Sequence, residues 1–245
     1  MHTFAATLLT MLAIARAEAD EPPREWGKIH IGGVLTSDYR FSGVSASDRD
    51  PAIQGYAHLA AHNGWFVGIW SSSVDFNDLN NTSVEWDTYA GRELALGNTT
   101  INLQAMYSAF DDDEPGPTYD FLQAKVRVVQ PLGRISFTAS GAWSPAGSYG
   151  AGRTWQLFSE ARYNLANWLS FSVGAGRTLR QRRLDRSYWN VGFSARWQRY
   201  SLGVRYVDTS HDFAECGFVD WCGSALVGEI GMNFMSIPLN EHHHR

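Results

Sequence analysis

The sequence predicts an all-β protein: a membrane-spanning up-and-down antiparallel barrel of about 12 strands. Three observations carry that reading. After the first 19 residues the chain repeats one unit, an alternating apolar and polar stretch followed by a connector, with no long apolar run. The connectors alternate between short and long, as in a meander with tight turns at one rim and loops at the other. Large aromatics sit near the ends of the predicted strands, whereas Lys occurs only at Lys28 and Lys125. A soluble barrel coats its surface with both signs of charge, so scarce Lys weighs against an aqueous exterior.

The 245 residues fit one large β domain, and no Pro-rich or Ser-rich tract divides them. Residues 1–19 read as a signal peptide. Phe4 to Ile14 is apolar but too short to span a bilayer, and Ala15-Arg16-Ala17 and Ala17-Glu18-Ala19 both offer a small-x-small cleavage pattern. That leader implies export through the periplasm. Residues 20–235 are expected to form the barrel and 236–245 a C-terminal tail that includes His242, His243 and His244. A net charge of -5 argues against a nucleic-acid binder.

In chain order, Ile29, Ile31 and Leu35 oppose Lys28, His30 and Thr36. Ile53, Ala57 and Leu59 oppose Gln54 and His58. Gly64 to Asp75 carries aromatics on both faces, so its parity stays open. Ser83 to Leu94 places Glu85, Asp87 and Glu93 on one face and Arg92 on the other, near the strand end, where a long cation reaches the interface. Ile101, Leu103, Ala105 and Tyr107 oppose Asn102, Gln104 and Ser108. Leu122, Ala124, Val126 and Val128 oppose Gln123, Lys125 and Arg127. Ile135, Phe137, Ala139 and Trp143 oppose Arg134, Ser136, Thr138 and Ser140. Trp155, Leu157, Ala161 and Tyr163 oppose Gln156, Glu160 and Arg162. Leu169, Phe171, Val173 and Ala175 oppose Ser170, Ser172, Gly174 and Gly176. Trp189, Val191, Phe193 and Trp197 oppose Asn190, Ser194 and Arg196. Arg199 to Asp208, with Arg205, precedes a last strand that sets Leu226, Ile230, Met232 and Phe234 against Glu229 and Asn233.

Alternation alone does not say which face is inside, since a soluble binding barrel turns its apolar side chains inward. The aromatic strand ends, the mixed Ser/Thr/Gln/Arg/Glu faces and an even strand count with both termini on the short-turn side favour apolar-outward. Parity then lines the bore with Lys125, Arg127, Arg134, Arg162, Arg196 and Arg205, and with Glu85, Asp87, Glu93, Glu160 and Glu229. Buried charges must pair or stay wet. These either set a transverse field across a conducting bore or pair into a plug.

The loops carry their own signals. Cys216 and Cys222 share the last long connector and, in an exported chain, read as a disulfide. Asp111-Asp112-Asp113-Glu114 is acidic but lacks the ligand spacing of a calcium loop. Arg177, Arg180, Arg182, Arg183 and Arg186 make another connector basic, suited to lipopolysaccharide phosphates, to anionic solutes, or simply to solvent. No nucleophile elbow, zinc-protease helix or phosphate-cradling loop is present, so no catalytic residue, metal or cofactor is expected.

Leu35-Thr36-Ser37-Asp38-Tyr39-Arg40-Phe41-Ser42-Gly43-Val44-Ser45, then Asp50-Pro51-Ala52-Ile53-Gln54-Gly55, resembles the N-terminal signature of the TorF family of porin-like proteins. Gly64-Trp65-Phe66-Val67-Gly68-Ile69-Trp70 and Val74-Asp75-Phe76 extend the resemblance. It implies a bacterial outer-membrane barrel of undefined substrate and supplies no site residues. The expectation is a narrow passive channel for small polar or charged solutes, in contact with outer-membrane lipid and lipopolysaccharide. The alternatives are a non-conducting barrel with an anchoring or surface-contact role, and a soluble periplasmic binding barrel. The long first loop, with Asp38, Arg40, Asp48 and Arg49, is the candidate constriction.

Overall fold

The computed structural model describes residues 25–77, 81–111 and 118–240. Twelve strands close into one antiparallel barrel: β1 (Glu25–Thr36), β2 (Ala52–Ala61), β3 (Trp65–Ser73), β4 (Val84–Leu96), β5 (Thr99–Phe110), β6 (Phe121–Leu132), β7 (Ile135–Gly147), β8 (Gly152–Asn164), β9 (Leu169–Arg180), β10 (Arg186–Trp197), β11 (Tyr200–Thr209) and β12 (Ala225–Asn240). Each strand pairs with its sequence neighbours, and β1 closes on β12, so no edge is left open. The turns at 62–64, 97–98, 133–134, 165–168 and 198–199 share one rim; the longer connectors share the other.

Apolar residues face outward around the whole wall. Val67, Leu103, Val126, Phe137, Leu157, Val173, Phe193 and Val204 are all exposed there. A soluble barrel would bury that set, so the soluble alternative is overturned by the geometry of the wall. Trp65, Trp168, Trp197 and Tyr200 ring the short-turn end; Trp86, Trp143, Trp155 and Trp189 lie toward the long loops. Two such aromatic rings bounding an apolar band match an interface at each side of a bilayer. Arg92 is on the outer face, and its guanidinium lies 5.5 Å from the ring centre of Trp65, its cross-strand partner. The aromatic ring spares the cation a bare apolar contact.

Some boundaries differ from expectation. β12 continues through Asn240, pairing Ile237 with Ile29, so residues 236–240 belong to the wall and not to a tail. A register shift between Ile31 and Gly32 lets the strand run on past Phe234. The predicted leader, the last five residues and most of the acidic loop 111–114 lie outside the described residues. Gly64 to Asp75 resolves into Trp65, Val67 and Ile69 outward, with Phe66, Trp70 and Ser72 inward. Both faces are aromatic because something other than water fills part of the bore at this height.

Candidate functional site

The first long loop, residues 37–51, folds into the barrel. It carries a two-residue hairpin, Arg40–Phe41 against Val44–Ser45. Tyr39 packs edge-on against Trp70 of β3 at 5.5 Å and donates its hydroxyl to Glu85 of β4 at 2.9 Å. Phe41 meets Phe121 of β6 at 6.4 Å. Gly43 reaches the far wall: a Cβ there would stand 2.7 Å from both Tyr188 of β10 and Thr209 of β11. With φ at +85°, Gly43 also needs the left-handed region that side chains resist. The loop therefore spans the bore from β4 to β10.

Its own core is polar. Asp38, 5% exposed, accepts from Arg40 Nε at 2.6 Å and from Ser45 Oγ at 2.7 Å. Arg40 Nη1 donates to the carbonyls of Gly43 at 3.0 Å and Gly223 at 2.7 Å. Asp48 and Arg49, expected at the constriction, instead reach into the last connector, residues 210–224. Asp48 accepts from Trp221 Nε1 at 2.6 Å, and Arg49 pairs with Asp220. These two clamp the loop rather than line the passage. The connector that receives them is closed by the disulfide Cys216–Cys222, whose Cα atoms are 5.9 Å apart. The Tyr39 hydroxyl is held above its usual pKa by burial first and by Glu85 second, so it stays a donor at neutral pH.

The loop divides the bore into two spaces. On the long-loop side is a cavity of about 670 Å³ that Phe41 and Val44 help to line. On the other is one of about 380 Å³, bounded by Asp38, Tyr39 and Arg40 and by Lys125, Arg205 and Glu229 of the wall. Most of the predicted bore charges are on the inner face, and several are paired. Arg205 pairs with Glu229, and Arg162 with Glu160 at 3.1 Å. Asp87 accepts from Ser108, and Glu85 from Tyr39. Lys125 and Arg127 occupy successive inward positions of β6, and Arg127 stays exposed to the bore. Arg196 lies on the inner face of β10 near the short turns, also exposed. Arg134 departs from expectation: it sits in the turn at 133–134, at the rim and outside the wall. A two-residue turn consumed the position that parity had counted as strand.

The basic connector also divides. Arg177 lies within β9 on its outward face, 3.4 Å from Asp185. Arg186 is not loop at all: it opens β10 and points inward, buried, while Arg180 ends β9 beside His211 at 3.2 Å. The inward aromatics Phe66, Tyr89, Phe158 and Tyr188 escaped the parity reading too. Phe158 and Tyr188 stack at 6.0 Å, with their rings lying over the inward glycines 174 and 176. A Gly facing a ring across the ladder was the signal available.

Comparisons agree with this geometry. Residues 27–230 match the model of a family described as "Bacterial protein of unknown function (Gcw_chp)". No curated protein matches the sequence. Among solved structures, the KdgM porin is similar at 8% identity and TM-score 0.55, covering 85% of this chain and 99% of that one. The KdgM porin in complex with disordered oligogalacturonate is similar at 9% identity and TM-score 0.53, with coverage of 85% and 99%. At these identities the likeness is one of fold: a closed twelve-stranded barrel of the porin type.

Proposed function

Since the chain belongs to the Gcw_chp family, whose description gives no activity, its own bore has to supply one, and we propose a passive outer-membrane channel for small polar or charged solutes. The observation that carries this is the inversion of the wall. Apolar residues face out all round, while the inside holds Lys125, Arg205 and Glu229 around open space, with Arg127, Glu160 and Arg162 on the same inner face. Charges left exposed inside a barrel have meaning only if water reaches them. Twelve strands give a bore between the filled eight-stranded barrel and the open sixteen-stranded porin. The loop 37–51 narrows it further and sets the size limit. The proposal includes the TorF affiliation, placement in the bacterial outer membrane with the long loops outward, and contact with lipid and lipopolysaccharide around the aromatic rings. Similarity in fold to the KdgM porin supports the channel reading.

Recording from the folded full-length protein in planar bilayers tests it. Discrete conductance steps are expected. Their absence would leave the second reading, a non-conducting barrel in which the loop acts as a plug. That reading draws on the contacts the loop makes with both β4 and β10.

A further inference from the structure

The long-loop cavity has two unlike walls. One is aromatic. Phe76 stacks on Tyr119 at 4.4 Å, Tyr119 on Tyr149 at 4.9 Å, and Phe110 and Phe121 continue the surface toward Phe41 of the inward loop. The other is a polar row set by strand register. Ser144 of β7 pairs with Thr154 of β8, Thr154 with Arg180 of β9, and Thr178 of β9 with Arg186 of β10. All five side chains border the cavity.

That row is short of partners. Arg186 is only 9% exposed, yet no carboxylate among the described residues pairs with it and its Nε has no hydrogen-bond partner. Thr178 Oγ1 and Ser144 Oγ, at 3% and 1% residue exposure, also lack partners. The other arginines of the cavity have hydrogen-bond partners at a terminal nitrogen, although Arg180 Nε, like Arg186 Nε, has none. Arg183 Nη2 donates to the Tyr149 carbonyl at 3.1 Å with its guanidinium over the Tyr149 ring, and Arg180 meets the Leu184 carbonyl and His211. Of the two carboxylates bordering the space, Glu85 accepts from Tyr39 and Glu215 from the Asp212 amide at 3.1 Å, and neither pairs with Arg186. A buried guanidinium without a counter-charge is costly unless an anion completes it. A guanidinium fork beside hydroxyl donors fits a carboxylate.

We propose that this cavity is a binding site for a small aromatic carboxylate, its carboxylate on Arg186 with Thr178 and Ser144, its ring against Phe41, Phe110 and Phe121. A plain anion would use the polar row and leave the aromatic wall wet. An uncharged arene would leave Arg186 unpaired. Only a ligand with both parts satisfies both walls, and about 670 Å³ is within the range of small-molecule pockets. The proposal deepens the channel reading by naming a solute class for its mouth.

The test is isothermal titration of benzoate, and of acetate, into the folded full chain in detergent. Benzoate is expected to bind at least ten-fold more tightly than acetate, and Arg186→Gln to weaken benzoate at least ten-fold while heat-modifiable gel migration stays unchanged. Phe121→Ala should weaken benzoate and leave acetate alone. If Arg186→Gln does not fold, Thr178→Val combined with Phe110→Ala gives the same reading. Equal binding of acetate and benzoate, or equal benzoate binding by wild type and the polar-row variants, overturns the site. Planar-bilayer recording separates the two claims. Conductance without benzoate binding sinks the site and keeps the channel; benzoate binding without conductance does the reverse.

Discussion

The inward loop depends on the ion pair Asp38–Arg40, and Asp38→Ala tests whether that loop sets the passage. The two side chains are 5% and 4% exposed, so neither charge can turn to bulk water while the loop stays docked. Removing one partner of a buried pair costs about 3–5 kcal/mol, because the other charge is left uncompensated. The lower end applies here, since Arg40 keeps its bonds to the carbonyls of Gly43 and Gly223. At about 1.4 kcal/mol per decade, 3 kcal/mol shifts the docked-to-undocked ratio of the loop about 100-fold. The barrel should survive, because the ladder from Thr36 across to Ala52 does not use Asp38. Hydrogen exchange over residues 37–51 should rise by a similar factor, and the bilayer conductance step should grow. Arg40→Ala added to Asp38→Ala should recover part of the protection, since the main cost is a stranded cation and not a lost contact. Unchanged exchange and unchanged conductance in Asp38→Ala would refute the reasoning. A double variant worse than either single would refute the part about the stranded charge.

Other expectations follow from the same geometry. Arg127→Glu with Arg162→Glu should move ion selectivity toward cations, because both face the bore; an unmoved reversal potential would show that they do not line the path. Replacing Cys216 and Cys222 by Ser removes about 2 kcal/mol of loop constraint and should raise exchange in residues 210–224 and, through Arg49–Asp220 and Trp221–Asp48, in 37–51. Exchange rising in only the first segment would show that the clamp is idle. His211 is held below its usual pKa of 6.5 by burial first and then by Arg186 and Arg180, with Glu215 and Asp212 opposing. Its folded pKa is depressed, so its contribution is complete above 6.5 and is lost as pH falls through the lower folded value; loop 210–224 should loosen on acidification, and His211→Gln should abolish that response. Gly43→Val should drive the loop tip off Tyr188 and enlarge the conductance step. A crystal structure of the variant with the tip in place would contradict this.

How much was legible divides along the wall. The outward face could be read residue by residue, because lipid accepts only one kind of side chain and period-two alternation reports that demand directly. Strand identities in β5 to β12 follow from it. The inward face sets no such rule. Water, a neighbouring strand's ring and a folded-in loop all border it, and Ser, Gly, Phe and Arg each satisfy one of them. So Gly174 and Gly176 read as polar-face fillers when they are seats for Phe158 and Tyr188. The aromatics of 64–75 gave no parity because Trp70 faces the loop residue Tyr39, a contact no local period encodes. Arg134 and Arg186 moved in opposite directions, one out into a turn and one in from a loop, because each lies within two residues of a strand end, where boundaries are least determined by pattern.

The same division explains where function resides. A barrel wall built to satisfy lipid carries little information about solutes, and its pairing pattern would serve any porin fold. The information about solutes lies in the material placed inside that wall: a loop with its own buried ion pair, a disulfide-closed connector that clamps it, and a polar row facing aromatic rings. The first and the last of these cost stability in isolation. A buried Asp38–Arg40 pair gains little over an apolar pair of the same shape, and an unpaired Arg186 is a net penalty. A chain that only had to plug its barrel could do so with leucines. Holding charge and unfilled volume in the bore at a cost is intelligible if something charged is meant to enter it.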